Sequence, residues 1–307
     1  MIVEKITHGW YTHGAMKKIA LFLILVLLLA AAGCGRRAET APTDNTAAPD
    51  SAAETAEDPY AGMLEVPNGW GGTMWVREAQ NVPRFALEAE KFSVTDGIVS
   101  YDGDEITLRR GLDVSAYQGE IDWSAVAADG MEFAILRCGY RGSTEGGLYE
   151  DETFRANYDG ARAAGLAVGA YFYSQAVNAE EGAEEARFVL EVLEGCELQL
   201  PVWFDWEEMS GEVRTAGLAG RVVTDAALAF CEELTEAGVD CGVYMYLNLA
   251  YNVYDLDRLA ELPLWLGDPG SKPELIYDHA IWQYSTEGTV SGVPVPVDLD
   301  VLYEWTD

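Results

Sequence analysis

Two acidic residues, Asp205 and Glu207, stand two positions apart at the end of an apolar stretch. Side chains two positions apart on a β-strand point to the same side, so both carboxyl groups would face one way. Asp113 ends an earlier apolar stretch, and Asp298 begins the last one. Close like charges raise the pKa of at least one carboxyl group, which can then remain protonated near neutral pH and act as a general acid. The pattern predicts a carboxyl-based acid–base site.

Aromatic residues stand near the ends of the neighbouring apolar stretches and could offer flat faces to sugar rings. A carboxyl pair in an aromatic-lined cleft is the chemistry of glycoside hydrolysis. Each residue also has a simpler interpretation, because a strand-end aspartate often caps a loop or helix, and strand-end aromatics often belong to the core. The aromatic residues predicted to meet the sugar are Tyr171, Tyr173, Tyr244, Trp265 and Trp282.

From residue 109 onward, apolar β-rich stretches alternate with helical ones, which favours a parallel sheet with helices outside it. Eight strands are predicted in about 200 residues, which suggests a closed barrel shorter than the usual chain of ~250 residues. The fold class is therefore α/β, an irregular (β/α)-barrel with few helices between its last three strands. The predicted strands are 111–114, 133–138, 166–173, 200–206, 242–246, 264–266, 281–284 and 297–301, and the helices are 151–164, 178–194, 220–238 and 254–261.

The stretch from about 110 to 303 resembles glycoside hydrolase family 25, the lysozymes with an irregular barrel. Eight short pieces occur in the right order over nearly 200 residues. They are Gly111-Leu112-Asp113-Val114-Ser115 with Gln118, Asp151 with Phe154 and Asn157, Gly169-Ala170-Tyr171, Pro201-Val202-Trp203-Phe204-Asp205-Trp206-Glu207, Gly242-Val243-Tyr244, Leu264-Trp265-Leu266, Ile281-Trp282-Gln283-Tyr284-Ser285 and Val297-Asp298-Leu299. Phe172 departs from the pattern, since many relatives have His there, and so does Gly267-Asp268; both changes concern substrate preference.

The resemblance implies cleavage of the β-1,4 bond between N-acetylmuramic acid and N-acetylglucosamine in peptidoglycan. Glu207 would be the general acid. Asp205 would stabilise positive charge at the anomeric carbon, either through the acetamido group of the substrate or by orienting water. Asp113 and Asp298 would bind the sugar and tune Glu207, while Tyr171, Tyr244, Trp265 and Gln283 would shape the sugar subsites. A non-catalytic cell-wall carbohydrate-binding protein on the same barrel is the alternative, and retention of both Asp205 and Glu207 argues against it.

The N-terminus resembles a bacterial lipoprotein signal. Lys17 and Lys18 precede fourteen apolar residues, too few for a spanning helix, and small residues then lead to Cys34, the predicted lipidation site. An ordinary cleaved signal is the alternative, and Met16 is the more natural start.

The chain is thus predicted to have four segments. Residues 1–34 are a signal region, 35–66 a disordered acidic linker, 67–108 a small β appendage with strands at 85–94 and 98–108, and 109–307 the catalytic barrel. The expected location is extracytoplasmic, anchored to the membrane and facing the wall.

Composition excludes several classes of function. The formal charge of −33, from 52 acidic and 19 basic residues, repels phosphate backbones, so no nucleic-acid partner is expected. Only three histidines are present, too few for a His-rich zinc site or for a Ser-His-Asp hydrolase to be expected.

We predict no metal and no cofactor, a structural or surface role for His279, and a monomer. Cys138, Cys196, Cys231 and Cys241 are expected to be buried thiols or to form one disulfide, and the acidic pairs Glu180-Glu181 and Glu184-Glu185 to be solvated.

Overall fold

The computed structural model describes residues 58–306, so the predicted signal region, Cys34 and most of the predicted linker lie outside the described residues. The strands are β1 (Leu64–Pro67), β2 (Thr73–Val76), β3 (Phe92–Thr95), β4 (Ile98–Tyr101), β5 (Ile106–Val114), β6 (Phe133–Arg141), β7 (Leu148–Glu150), β8 (Ala167–Ser174), β9 (Val202–Trp206), β10 (Cys241–Tyr246), β11 (Leu264–Gly267), β12 (Ile281–Gly288) and β13 (Val297–Trp305). The α-helices are α1 (Trp123–Ala128), α2 (Phe154–Ala163), α3 (Ala179–Val192), α4 (Gly220–Glu236), α5 (Leu247–Asn252) and α6 (Leu256–Leu259).

Eight strands close into a barrel in the order β5, β6, β8, β9, β10, β11, β12 and β13, and β13 pairs back to β5. The first seven run parallel, as the apolar stretches predicted. The barrel fold class is therefore confirmed, including the scarcity of helices near its end. In addition, β7 pairs antiparallel with the outer part of β6, a hairpin that the sequence did not reveal.

The closing strand β13 runs antiparallel to both β12 and β5, which corrects the expectation of a uniformly parallel sheet. This reversal decides where its acidic residues lie. The first residues of β13 reach the rim at which the parallel strands end, and Asp298 stands directly opposite Asp113. A parallel β13 would have placed Asp298 at the other end of the barrel.

Large rings fill the barrel interior. Phe133, Ile135, Tyr171, Trp203, Tyr244, Trp265 and Ile281 form one buried cluster, to which most of the parallel strands contribute. Glycines make room for these rings: a Cβ at Gly111 would collide with Phe133, and one at Gly242 with Trp203. Large and small residues therefore alternate around the interior, so the barrel is a packed core.

Helices cover only part of the outer wall, and an N-terminal segment covers the rest. Helices α3 and α4 pack against each other and against the strands from β6 to β10. Residues 77–101, here called the strap, cross the wall beside β12 and β13. Phe92 of the strap packs on Trp282 and Tyr303 at ring distances of 5.7 and 5.6 Å, and Phe85 N–H donates to Ile276 O at 3.0 Å. The strap thus occupies the place that helices hold elsewhere.

The N-terminal boundaries differ from those predicted. β1 begins at Leu64, inside the range assigned to the linker. The predicted strand 98–108 divides into β4 and the start of β5, so a boundary at residue 109 falls within a barrel strand. The turn at 95–97 is present, with Asp96 and Gly97 at positive φ. Among residues 58–306, no helix has the length and apolar character needed to cross a bilayer.

Candidate active site

Three strand ends bring four of the predicted carboxyl groups to the mouth of the barrel. Asp205 is the fourth residue of β9, and Glu207 directly follows the end of this strand and lies close enough to interact with Asp205. Asp113 lies near the end of β5, opposite Asp298 of β13. Asp113 and Asp205 are 5% and 6% exposed, whereas Glu207 and Asp298 are partly exposed. The structure therefore gathers these four residues, with two deep in the mouth and two at its surface.

A chain of hydrogen bonds fixes the floor of the mouth. Tyr244 Oη donates to Gln283 Oε1 at 3.0 Å, and Gln283 Nε2 donates to Asp113 Oδ2 at 2.8 Å. The carboxyl oxygen accepts and the phenol donates, so the amide of Gln283 has one orientation that satisfies both. Gln283 thus holds Asp113 in place and does so from below the surface, since it is 5% exposed.

A fifth carboxyl group, Asp300, lies beneath the others and was not predicted. It is fully buried, and its Oδ1 accepts from Trp265 Nε1 at 2.8 Å. Among residues 58–306 its Oδ2 has no hydrogen-bond donor, and the Asp113 carboxyl group lies within hydrogen-bonding contact of the Asp300 side chain. Two carboxyl groups in contact need a proton between them. Burial and the charge of Asp300 raise the pKa of Asp113 well above its usual range, and burial raises the pKa of Asp300 to about 8.

The Asp205–Glu207 pair also binds protons tightly. Burial raises the pKa of Glu207 to about 7. Burial, and then the charges of Glu207 and Asp113, raise the pKa of Asp205. The two carboxyl groups titrate as a pair, so near neutral pH they share a proton instead of both being ionised. Burial, followed by Asp113 and Glu207, raises the pKa of Asp298 to about 9.

Arg137 is the cation at this mouth, and it too was not predicted. Its guanidinium forms an ion pair with Asp151 at 2.8 Å and lies over the rings of Tyr117 and Tyr140, at 5.5 and 5.3 Å. Its positive charge opposes the increase in the pKa of Asp205. Arg137 therefore favours the ionised form of the deeper carboxyl group.

A buried polar network supports the chain beyond Asp205. Gln175 is fully buried, and its Nε2 donates to the carbonyl oxygen of Ser174 at 2.9 Å and to that of Glu207 at 3.5 Å. Thr215 Oγ1 donates to Gln175 Oε1 at 2.9 Å, and Arg214 donates to Gln175 O at 3.3 Å. The end of β8 and the segment after β9 are thereby joined beneath Glu207.

The predicted aromatic residues lie at different depths. Trp265 is 2% exposed, with its ring 4.7 Å from that of Tyr244 and 6.1 Å from that of Tyr171. Tyr171 and Tyr244 are also buried below the carboxyl groups, so they line the floor. Tyr173 is partly exposed, and burial, followed by the charges of Glu207 and Asp205, raises its pKa. Of the predicted aromatics, Tyr173 is the one that reaches the surface of the mouth.

The two missed residues left a signal in the sequence. Arg137 follows Phe133 and Ile135 at a spacing of two, and both of these belong to the interior cluster. Asp300 follows Asp298 at the same spacing. Period-two alternation along a strand would have placed both on the inner face.

Three further expectations concern residues away from the mouth. Glu185 was expected to be solvated, but it is fully buried and accepts from Arg141 Nε at 2.7 Å and from Ser174 Oγ at 2.6 Å. The amphipathic period of α3 turns this one glutamate inward, where an arginine compensates it. His279 is buried between Phe85 and Tyr303, which corresponds to the structural one of the two roles expected for it and not to the surface one. The four cysteines within residues 58–306 are free, three of them buried.

Comparisons with known proteins agree with this geometry. The model of the family "Glycosyl hydrolases family 25" matches residues 112–293. The autolytic lysozyme of Clostridium acetobutylicum is 31% identical over 196 residues, which are 64% of this chain and 56% of that protein. Lysozyme M1 of Streptomyces globisporus is 30% identical over 200 residues, which are 62% of this chain and 66% of that protein. The matched part of this chain thus spans less than two thirds of these relatives.

The fold also has solved counterparts. A family 25 glycosyl hydrolase from Bacillus anthracis superposes with a TM-score of 0.55 at 24% identity, covering 67% of this chain and 95% of that one. At this identity the likeness concerns the fold alone. The family match, by contrast, covers more than half of the sequence and includes the strands that carry Asp113, Asp205 and Gln283. The chain belongs to glycosyl hydrolase family 25.

Proposed function

We propose that this chain is a peptidoglycan hydrolase of the muramidase type, which cleaves the β-1,4 bond between N-acetylmuramic acid and N-acetylglucosamine. One observation carries the proposal: the buried Asp205 of β9 and the partly exposed Glu207 just after β9 interact electrostatically, and their pKa values are both raised. Such a pair retains a proton near neutral pH and can also bear a charge, the two states that glycoside hydrolysis needs. The names of the relatives support peptidoglycan as the substrate.

In the proposed mechanism Glu207 gives its proton to the oxygen of the leaving sugar as the glycosidic bond breaks. The ionised Asp205, favoured by Arg137, stabilises the positive charge that develops at the anomeric carbon. Its Oδ1 is buried and has no hydrogen-bond partner among residues 58–306. Water then adds to the anomeric carbon, and its proton returns the pair to the starting state.

Asp113 and Asp298 have supporting roles in this proposal. Asp113 is held by Gln283 and shares a proton with Asp300, so it presents a fixed polar group to the sugar. Asp298 stands opposite it at the surface. When ionised, either carboxyl group raises the pKa of Asp205, so the cluster as a whole retains protons. Tyr173 would contact the sugar at the rim.

The proposal is tested by Glu207→Gln and Asp205→Asn, with the exposed neighbour Glu208→Gln as the matched control. Each protein digests purified peptidoglycan, and mass spectrometry identifies the sugar that carries each new reducing end. We expect the two site variants to lose about 10²–10⁴-fold in kcat with an unchanged circular dichroism spectrum, and the control to retain activity. Wild-type protein that binds the wall but releases no reducing ends would instead support the non-catalytic alternative.

We further propose that the protein works outside the cytoplasm, anchored through a lipid on Cys34. The support comes from the sequence around Cys34 and from a substrate that belongs to the cell wall. Cys34→Ser should move the protein from the membrane fraction to the soluble fraction, and an unchanged fractionation would refute the anchor.

A further inference from the structure

The hairpin formed by β1 and β2 has two chemically different faces. Val66 and Val76 are 1% and 6% exposed and point inward. Trp75 points outward and is 40% exposed, and Tyr60 stacks on it with ring centroids 4.7 Å apart and an interplanar angle of 19°. Trp70, in the turn, is 75% exposed. The hairpin thus presents three aromatic rings to solvent, here called the aromatic platform (Tyr60, Trp70 and Trp75).

The turn that carries Trp70 is held in one conformation. Asn68 Oδ1 accepts from the N–H groups of Trp70 and Gly72 at 2.9 and 3.0 Å, and Asn68 N–H donates to Gly72 O at 3.0 Å. Gly69 and Gly71 both adopt φ of +78°, which only glycine takes readily. The Trp70 indole is therefore held in an exposed position by a well-defined turn. Exposed clusters of aromatic side chains are typical of binding surfaces.

The hairpin lies beside the barrel mouth. A Cβ on Gly69 would stand 3.6 Å from Leu247 Cδ2, and Leu247 directly follows Tyr246, the last residue of β10. Since β10 runs parallel to β9, Tyr246 ends at the rim where Glu207 stands. Asn252 Nδ2 also donates to Met74 Sδ at 3.4 Å, which fastens β2 to the end of α5. The aromatic platform therefore continues the rim on its β10 side.

We propose that the aromatic platform binds a carbohydrate, namely the part of the glycan strand that extends beyond the sugars held in the mouth. This inference rests on the proposed function and adds a subsite from outside the family region. Aromatic rings match the apolar faces of sugar rings and the methyl of an N-acetyl group. Beside Trp75, Thr73 Oγ1 and the Glu65 carboxylate, linked at 2.6 Å, supply polar groups for sugar hydroxyls.

The charge distribution favours a glycan over a membrane surface. Exposed Trp and Tyr also occur at lipid interfaces, but binding to anionic lipid headgroups relies on clusters of Lys and Arg. The hairpin that bears the aromatic platform has the acidic Glu65 beside Trp75, and the whole chain has a formal charge of −33. Continuity with the mouth provides the second argument, because a polymer seated on Glu207 must leave the barrel across one of its rims.

The test compares Trp70→Ala/Trp75→Ala with Trp305→Ala in the full chain. Trp305 is the matched control because it is 60% exposed and ends β13, at the barrel end opposite the mouth. Binding is measured by sedimentation with insoluble peptidoglycan, and turnover is measured on peptidoglycan and on a soluble tetrasaccharide of alternating N-acetylglucosamine and N-acetylmuramic acid. We expect the double variant to bind peptidoglycan about tenfold more weakly while its turnover of the tetrasaccharide is unchanged. The control should match the wild type. The single variant Trp70→Tyr, in which Trp75 is unchanged, keeps an aromatic ring at both positions and should bind peptidoglycan more tightly than the double variant.

The outcomes separate this inference from the proposed function. If the double variant sediments with peptidoglycan as the wild type does, the platform does not bind glycan. A loss of binding to phosphatidylglycerol–phosphatidylcholine vesicles, or of self-association in ultracentrifugation, without any loss on peptidoglycan would assign the platform to a membrane or a second copy and overturn the inference. A wild type that releases no reducing ends would refute the proposed function, while its sedimentation would still test the platform.

Discussion

Replacing Asp300 by asparagine should remove a large pH dependence of the folding free energy. The side chain is fully buried, its Oδ1 accepts from Trp265 Nε1, and its carboxyl group contacts that of Asp113. Its pKa is raised to about 8 in the folded state, and an unfolded aspartate titrates near ~3.9. The stabilising effect of its bound proton is therefore complete below pH ~3.9 and is lost as the pH rises through about 8.

The magnitude follows from proton linkage. Between pH 5 and pH 7 the folded protein holds one proton at this site that the unfolded chain has released. The free energy of unfolding then falls by about 1.4 kcal/mol for each pH unit, or about 2.7 kcal/mol over the interval. An asparagine keeps the shape, accepts from Trp265, donates toward Asp113 and does not titrate. The variant should resemble the wild type at pH 5 and exceed it in stability at pH 7 and above.

Urea unfolding at half-unit steps from pH 5 to pH 8.5 measures this directly. The slope of unfolding free energy against pH should be shallower in Asp300→Asn by close to one proton. Asp240→Asn, which removes an exposed carboxyl group, is the control and should leave the slope as it is in the wild type. Parallel curves for Asp300→Asn and wild type would refute the reasoning that the buried cluster holds this proton.

Three other perturbations test the site and the fold. The rate of peptidoglycan hydrolysis should fall as the pH rises through about 7, because Glu207 must be protonated; a rate that climbs to pH 9 would exclude it as the acid. Thr215→Val leaves Gln175 Oε1 unpaired and should lower kcat with little change in KM. Thr215→Ser keeps the hydroxyl group and should have a kcat close to that of the wild type. Equal effects of both variants would argue against a role of Thr215 in positioning Glu207. Phe92→Ala removes the strap's central ring and should destabilise the protein by about 3–5 kcal/mol in urea unfolding, and a loss below ~1 kcal/mol would mean that the strap contributes little.

The sequence predicted the barrel because apolar runs with intervening helices have few other solutions. It also predicted Asp113, Asp205, Glu207 and Asp298, whose positions at strand ends are visible in the periodicity. The direction of β13 was not visible, because an eight-residue connection is compatible with either direction until pairing with both neighbours is known. Asp298 was nevertheless placed at the correct rim, since the strand's reversal brings its first residues there.

What the sequence could not reveal depends on contacts between distant segments. The roles of Gln283 and Asp300 arise from hydrogen bonds to residues 170 and 35 positions away. The burial of Glu185 depends on Arg141, which is 44 positions away. Likewise, Phe92 could be assigned to a separate small domain from the sequence, and only its contact with Trp282, 190 positions away, shows that it packs on the barrel.

The outer wall has a consequence for how such barrels can be inherited and recombined. A gene fusion that cut this chain at residue 112, where the family pattern starts, would begin within β5 and leave Trp282 and Tyr303 bare to water. The transferable unit is therefore longer than the region that relatives share. A protein in which the strap was exchanged would need another segment that covers the same side chains of β12 and β13. We therefore expect the strap and the barrel to be inherited together.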